Sequence, residues 1–360
     1  MKQQIITLMI SALICAVNPA FGMELLNDEK HQNLSHNAPT WDFLKDGDSV
    51  EIIAPAGAPT TDGQVETAKK IISSHGLMPY LPEGAIDKEN SRYGYYANSD
   101  QLRAHYFEEA LQGSSKALWA LRGGFGSYTV VESFERSSVL PPQQPKPIIG
   151  FSDITHINLL AATWKWPSLH GPVIGFGEEN LPNVNKFTKL NSVIQILKGE
   201  VKQLEHTFEV IHPGDMSSRD IQGSVMGGNF SVIMRHNGTP TALTGKNHFI
   251  FLEDTAEDGK RLHDYFLSLV RTGTLNEAKG LIIGNLPLTG FPNDPEKTRD
   301  VIKYFVNNVL LKRNINIPVV YSPRFGHGDY NDVMPLGTKA SLIVNQQNAT
   351  LKVSVNESAY

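Results

Sequence analysis

The sequence holds a single cysteine, Cys15, in 360 residues. That residue lies inside an apolar stretch over residues 5–17, which follows Lys2 and precedes Asn18, Pro19, Ala20, Phe21 and Gly22. A basic start, a short apolar segment and small residues after it are the pattern of a secretory signal peptide, read here as residues 1–22 with cleavage near Gly22. The stretch is about 13 residues, short of the ~20 that span a bilayer, so no membrane anchor is expected. Ile14 before Cys15 is too large for a lipoprotein signal. Removal of the peptide takes the only thiol with it, which excludes disulfides, cysteine-ligated zinc and a cysteine nucleophile. The expected location is periplasmic or secreted.

Other absences narrow the field further. Thirty-two Lys and Arg stand against 37 Asp and Glu, a formal net charge of −5 with no basic block, so the footprint of a nucleic-acid binder is missing. The twelve histidines form no H-E-x-x-H. The acids Glu253, Asp254, Glu257 and Asp258 lack the alternation of a calcium loop, and no G-x-G-x-x-G or G-K-[ST] phosphate loop follows a strand. Neither a metal nor a nucleotide cofactor is called for. There is no internal repeat and no low-complexity tract.

What is present is an alternation of strands and helices. After a polar leader over residues 23–47, a strand at residues 50–53 leads through Pro55, Ala56 and Gly57 to a helix at residues 62–74, stopped at Gly76, and a strand at residues 78–81. A helix at residues 100–112, strands at residues 117–121 and 147–151, and a helix from Asp153 continue the pattern, which argues for an open parallel α/β sheet over residues 48–176. Beyond Gly175 the texture turns polar, with Glu178, Glu179, Asn180, Pro182 and Asn183, and is read as an inter-domain linker over residues 177–222. A second α/β domain follows over residues 223–360. Its strands are expected at residues 249–252, 280–283, 318–321, 341–344 and 351–355, and its helices at residues 262–270 and 300–311.

Three strands end on a reactive side chain, and ligands of open sheets bind at that edge. Ile148-Ile149-Gly150-Phe151-Ser152-Asp153 has the first half of a G-x-S-x-G elbow, with Ile154 in place of the second glycine. On spacing alone Ser152 is either a nucleophile or the cap of the next helix. Phe249-Ile250-Phe251-Leu252-Glu253-Asp254 ends on two acids, one able to orient a histidine and the other to cap or face solvent. Tyr321-Ser322-Pro323-Arg324-Phe325-Gly326-His327-Gly328 sets an imidazole between glycines. Serine, acid and histidine together are the parts of an acyl-transfer triad. The loop Arg122-Gly123-Gly124-Phe125-Gly126 and the amide of Asp153 are candidate oxyanion donors.

These segments together resemble the LD-carboxypeptidase family of serine peptidases, over about residues 48–345. Ile53-Ala54-Pro55-Ala56-Gly57 is similar to the family's opening strand, the loop from Leu121 to its R-G-G-Y-G segment, and Gly150-Phe151-Ser152-Asp153-Ile154-Thr155 to its nucleophile turn. His170-Gly171-Pro172, Gly227-Gly228-Asn229, Leu252-Glu253-Asp254, Phe325-Gly326-His327 and Pro335-Leu336-Gly337 follow in family order. Phe125 replaces the usual tyrosine and Phe230 the commoner leucine.

The resemblance implies Ser152 as nucleophile, Glu253 as orienting acid, His327 as base, and the Gly124 and Asp153 amides as the oxyanion hole. Arg122, Gly123, Phe125 and Asn229 are expected at the substrate. It also implies a Rossmann-like N-terminal domain, a C-terminal domain with a mixed sheet or barrel-like core, no cofactor, and a frequent homodimer. The implied reaction is hydrolysis of the amide between an L-centre (meso-diaminopimelate or lysine) and D-alanine in peptidoglycan tetrapeptides, through an acyl-enzyme. Three other readings compete. A microcin C-type peptidyl-nucleotide immunity peptidase would need an aromatic pocket, for which Trp164, Trp166 and Phe176 are candidates. A non-catalytic wall-peptide binder would keep the fold without turnover. An α/β-hydrolase esterase would need the second glycine of its elbow. Arg122, Arg261 and Arg324 are candidates to grip the terminal carboxylate.

Overall fold

The structure, a computed structural model, describes residues 40–61, 63–137, 139–175, 190–215, 220–255, 257–291 and 294–360. The expected signal peptide, most of the leader, the polar run from Glu178 to Asn183, and Phe176 lie outside the described residues.

Alternation of side-chain direction along a strand explains the first layer. In β1 (Ser49–Ile53), β3 (Ala117–Ala120), β4 (Ile148–Gly150) and β5 (Ser168–His170), nearly every residue is buried. Val50, Ile52, Ala117, Trp119, Ile149 and Leu169 enter one core, while Ile53, Leu118, Ala120 and Ile148 enter another on the opposite face. Such near-continuous apolar runs belong to parallel strands covered on both sides. With β2 (Met78–Tyr80) these strands form a parallel sheet in the order β2-β1-β3-β4-β5, and β11 (Met334–Leu336) adds antiparallel to β5 at the edge. The helices α1 (Gln64–Ser74), α2 (Asp100–Gln112), α3 (Ser127–Arg136) and α4 (Thr155–Thr163) cross over between strands. Local chemistry sets their ends. The Ser99 hydroxyl accepts from the Leu102 amide at 3.3 Å at the start of α2, and Gly76 at φ +77° follows the end of α1.

The second layer is a closed seven-stranded barrel. β6 (Gln203–His212), β7 (Asp220–Asn229), β8 (His248–Glu253), β9 (Gly280–Ile283), β10 (Val319–Tyr321), β12 (Thr338–Val344) and β13 (Asn348–Ser358) run in the order β10-β6-β13-β12-β7-β8-β9. The stretch β7-β8-β9-β10 is parallel, and β10 pairs antiparallel with β6 to close the ring. Helices α6 (Phe230–Met234), α7 (Gly259–Arg271) and α8 (Pro295–Phe305) connect the parallel strands, with Asp258 and Asp294 capping α7 and α8. Phe208, Phe251 and Phe325 meet inside the barrel, the first and last stacked at 5.6 Å.

The linker and leader expectations need correction. Residues 177–222 contain α5 (Leu190–Leu197), whose Val193, Ile194, Ile196 and Leu197 fill the sheet core, and β6, which closes the barrel. Within the leader, Trp41 and Leu44 are buried in that same core, at 1% and 3% exposure. The two halves also exchange chain: β11 and Val355 come from the C-terminal half but pack with the sheet. Trp164 and Trp166, expected near a ligand, meet edge-on at 5.5 Å in the sheet's other core.

Candidate active site

The strand order 2-1-3-4-5 reverses direction between β1 and β3, and the carboxyl ends of strands at such a reversal leave a crevice. The loops that leave β1 and β3 join there, the Gly57 amide donating to the Gly123 carbonyl at 3.1 Å. Arg103, buried at 1% exposure, braces both loops by donating to the carbonyls of Pro55 and Gly126.

Ser152 follows β4 beside this crevice, half-buried and with φ +60°. A serine in the left-handed region is strained, and it persists only where its surroundings over-determine it. A short 3₁₀ turn, Ser152–Ile154, then runs into α4, so the serine stands on a sharp strand-to-helix turn without the second elbow glycine. Gly123 faces it: a Cβ there would fall 3.0 Å from Ser152 Cβ. Only a residue without a side chain lets this loop's backbone approach the nucleophile so closely.

Glu253 ends β8 and is fully buried, with both carboxylate oxygens engaged. His327 Nδ1 lies 2.7 Å from Oε2, and His170 Nε2 at the end of β5 lies 3.3 Å from Oε1. An ionised carboxylate only accepts, so both imidazoles donate. Burial pushes this carboxyl up, but the charge of His327 and the hydrogen bonds from His170 and His327 outweigh it and hold it down at about 2. On His327, burial pulls the imidazolium down, while the charge and hydrogen bond of Glu253, with the charge of Asp254, raise it above its ordinary 6.5. Gly326, at φ +100°, makes this pairing possible, since a Cβ there would fall on Glu253 Oε2. The His327 ring packs against Phe151 at 4.8 Å, which sets it beside the residue preceding Ser152.

The second acid of the β8 end has a different task. Asp254 is buried and accepts from the Ser231 amide at 2.7 Å, the Thr255 amide at 2.8 Å and the Asn229 side chain at 3.0 Å. Burial and the neighbouring Glu253 charge push its pKa up to about 6. Asn229, expected at the substrate, is 3% exposed, and its side chain is spent on Asp254, Ser231 and the Val232 amide as the cap of α6. Its own amide donates to Thr155 Oγ1 at 2.9 Å, pinning the barrel to the start of α4. Arg122 folds back to donate to the Ala58 carbonyl at 2.8 Å, and Arg324 is held by Asp332 through two bonds of 2.6 and 3.0 Å. Arg261 lies 3.6 Å from Glu257. Phe125 is 46% exposed on the glycine loop. Among the described residues no set of three or more metal-ligating side chains converges.

Behind the serine turn lies a polar chain that motif reading misses. His156 Nδ1 is 2.5 Å from His236 Nε2, His236 Nδ1 is 2.6 Å from Thr241 Oγ1, and that hydroxyl donates to Glu135 at 2.7 Å. Burial, and for His156 also the charge of His236, pull the two imidazoles down to about 2 and about 4. Between pH 6.5 and 4 the unfolded histidines bind protons that the folded pair refuses, so stability is present above pH 6.5 and is lost as pH falls. The melting temperature is expected to drop over that window, and His236→Gln should flatten the drop. A His236→Gln profile parallel to that of the parent protein would count against this assignment.

Comparison with known proteins bears on the family and the fold. The sequence model of the LD-carboxypeptidase N-terminal domain matches residues 50–171, and that of the C-terminal domain matches residues 222–342. A Rickettsia prowazekii protein bearing a carboxypeptidase name is 31% identical over 309 residues, 84% of this chain and 91% of its own. The murein tetrapeptide carboxypeptidase of Pseudomonas aeruginosa is 27% identical, covering 85% of this chain and 96% of its own. Among solved structures, the muramoyltetrapeptide carboxypeptidase of Oxalobacter formigenes aligns with TM-score 0.64 at 23% identity, over 85% of this chain and 98% of its own. An MccF-like protein of Bacillus anthracis aligns with TM-score 0.69 at 22% identity, over 86% and 98%. At those identities the two structures speak for the fold alone.

Proposed function

The chain belongs to the LD-carboxypeptidase family, and from that premise we propose that it removes the terminal D-alanine from peptidoglycan tetrapeptides. The observation that carries this reading is the Glu253–His327 pair at 2.7 Å with the His327 ring at 4.8 Å on Phe151, next to Ser152. In this mechanism Ser152 Oγ attacks the carbonyl of the L-centre while His327 Nε2 takes its proton. Glu253 holds the Nδ1–H of that ring and stabilises the imidazolium. The Gly124 and Asp153 amides receive the negative oxygen. His327 then gives its proton to the departing D-alanine nitrogen, and water, activated by the same ring, hydrolyses the acyl-serine and restores the hydroxyl.

The site sits in a protein whose N-terminal apolar stretch is read as an export signal, so its substrate would be met outside the cytoplasm. Fractionation of expressing cells tests this. Enzyme recovered from the periplasm or medium without residues 1–22 is the expected result, and full-length enzyme confined to the cytoplasm is the contrary one.

Purified enzyme incubated with the tetrapeptide should release D-alanine, read by chromatography or mass spectrometry, and leave the tripeptide. Recovery of intact tetrapeptide would end the proposal. The reaction needs His327 neutral, and its pKa is raised above 6.5. The acid limb of kcat/KM should therefore lie above pH 6.5, with rate falling as pH drops through it. A limb below pH 6 would contradict the Glu253–His327 assignment.

A further inference from the structure

A carboxypeptidase has to recognise a free terminal carboxylate, and the three arginines expected to do so are otherwise engaged, as described above. We infer that Arg235 is the residue that anchors this carboxylate, a specificity-determining contact supplied by the barrel half; the inference rests on the carboxypeptidase reading.

Arg235 follows α6, and its side chain is exposed. Its guanidinium lies 5.2 Å over the ring of Phe125, the exposed residue of the glycine loop, two positions from the Gly123 that faces Ser152. Stacking of this kind fixes the plane of the guanidinium while leaving its N–H edge free. Among the described residues no carboxylate forms an ion pair with it, whereas Arg103, Arg136, Arg261, Arg299 and Arg324 all have acidic partners. The positive charge of Arg235 is felt at Asp153, the residue directly after Ser152, and at His156 and His236.

Chain chemistry limits where such an anchor can stand. The carboxylate carbon of the leaving residue is two bonds beyond the scissile nitrogen, so its partner must lie within one side-chain length of the serine turn. Arg235 comes to the glycine loop that faces this turn from the barrel half, its guanidinium 5.2 Å over Phe125, and a planar fork suits a carboxylate bidentately. Phe125 gains a purpose here too: where the family usually carries tyrosine, the bare ring is the surface on which the guanidinium rests.

The test separates anchoring from turnover. Binding of L-alanyl-γ-D-glutamyl-meso-diaminopimelyl-D-alanine and of its C-terminal amide is measured by calorimetry on Ser152→Ala and on Ser152→Ala/Arg235→Ala. The free acid should bind about 10- to 100-fold more tightly than the amide to Ser152→Ala. That preference should vanish in the double variant, with amide affinity unchanged, and Arg235→Lys should restore part of it. A preference that survives Arg235→Ala, or no preference in Ser152→Ala, overturns the inference. Failure of wild-type enzyme to release D-alanine, with the acid preference intact and dependent on Arg235, would instead refute the peptidase reading and leave the anchor standing.

Discussion

Ser152→Ala is expected to lower D-alanine release by at least about 10⁴-fold, because it deletes the atom that forms the acyl bond and leaves only binding and the oxyanion donors. Folding should be unaffected or slightly improved. Ser152 is half-buried and holds φ +60°, and alanine tolerates that backbone no better than serine, so the melting temperature should move little. The loss should fall on kcat, with tetrapeptide affinity within a few-fold of the parent, since the substrate's other contacts remain. Retention of more than about a hundredth of the activity would place the nucleophile elsewhere. A large fall in melting temperature would mean that the hydroxyl has a structural task in the turn.

Glu253→Gln should cost about 10³–10⁴ in kcat, nearly as much as loss of the serine. The change is nearly isosteric, but it removes the charge that raises the His327 pKa and offers an amide where two imidazoles now donate. At most one of those histidines can then find an acceptor, and His327 is free to turn its wrong nitrogen toward Ser152. The acid limb of the pH profile should move downward in the residual activity, because the main influence raising the His327 pKa is gone. The fold should also suffer, as a fully buried carboxylate with two donors is replaced by a poorer match. Asp254→Asn is the control. Asp254 hydrogen-bonds the cap of α6 and acts on His327 only through its charge, so its loss should be felt chiefly in stability and move the acid limb downward less than Glu253→Gln does.

Much of this was legible in order along the chain, for a physical reason. Ser152 lies just past β4, Glu253 closes β8 and His327 stands in the loop six positions beyond β10, so the strand-end rule puts them at the same edge before any contact is known. The family resemblance then chose Glu253 over Asp254, a choice that depends on which neighbours reach each acid and that local sequence cannot make. Of the sheet's strands, β1–β4 were visible as short apolar runs, and the three-residue β5 and β11 were not. β6 was not, because Gln203, Glu205, His206 and Glu209 break any apolar run, and it is held by non-local pairing with β10 and β13.

The residues that sequence reading missed share that property. His170 reaches Glu253 across 83 positions, and His156 reaches His236 across 80, so no spacing rule connects them. Arg235 is marked by its position over Phe125 and by its lack of an acidic partner, and both facts exist only after folding. Conversely, Asn229 and Arg122 sit in segments that resemble the family's, yet their side chains are spent on capping α6 and bracing a loop.

The central claim is that a hydroxyl, an imidazole and a carboxylate act as one unit on the bond to D-alanine, and a double-variant cycle tests it most directly. D-Alanine release is measured for Ser152→Ala, Glu253→Gln and the two combined. Groups that act together predict a double variant no slower than Ser152→Ala alone. If the two losses multiply instead, Glu253 acts independently of Ser152 and the triad is contradicted.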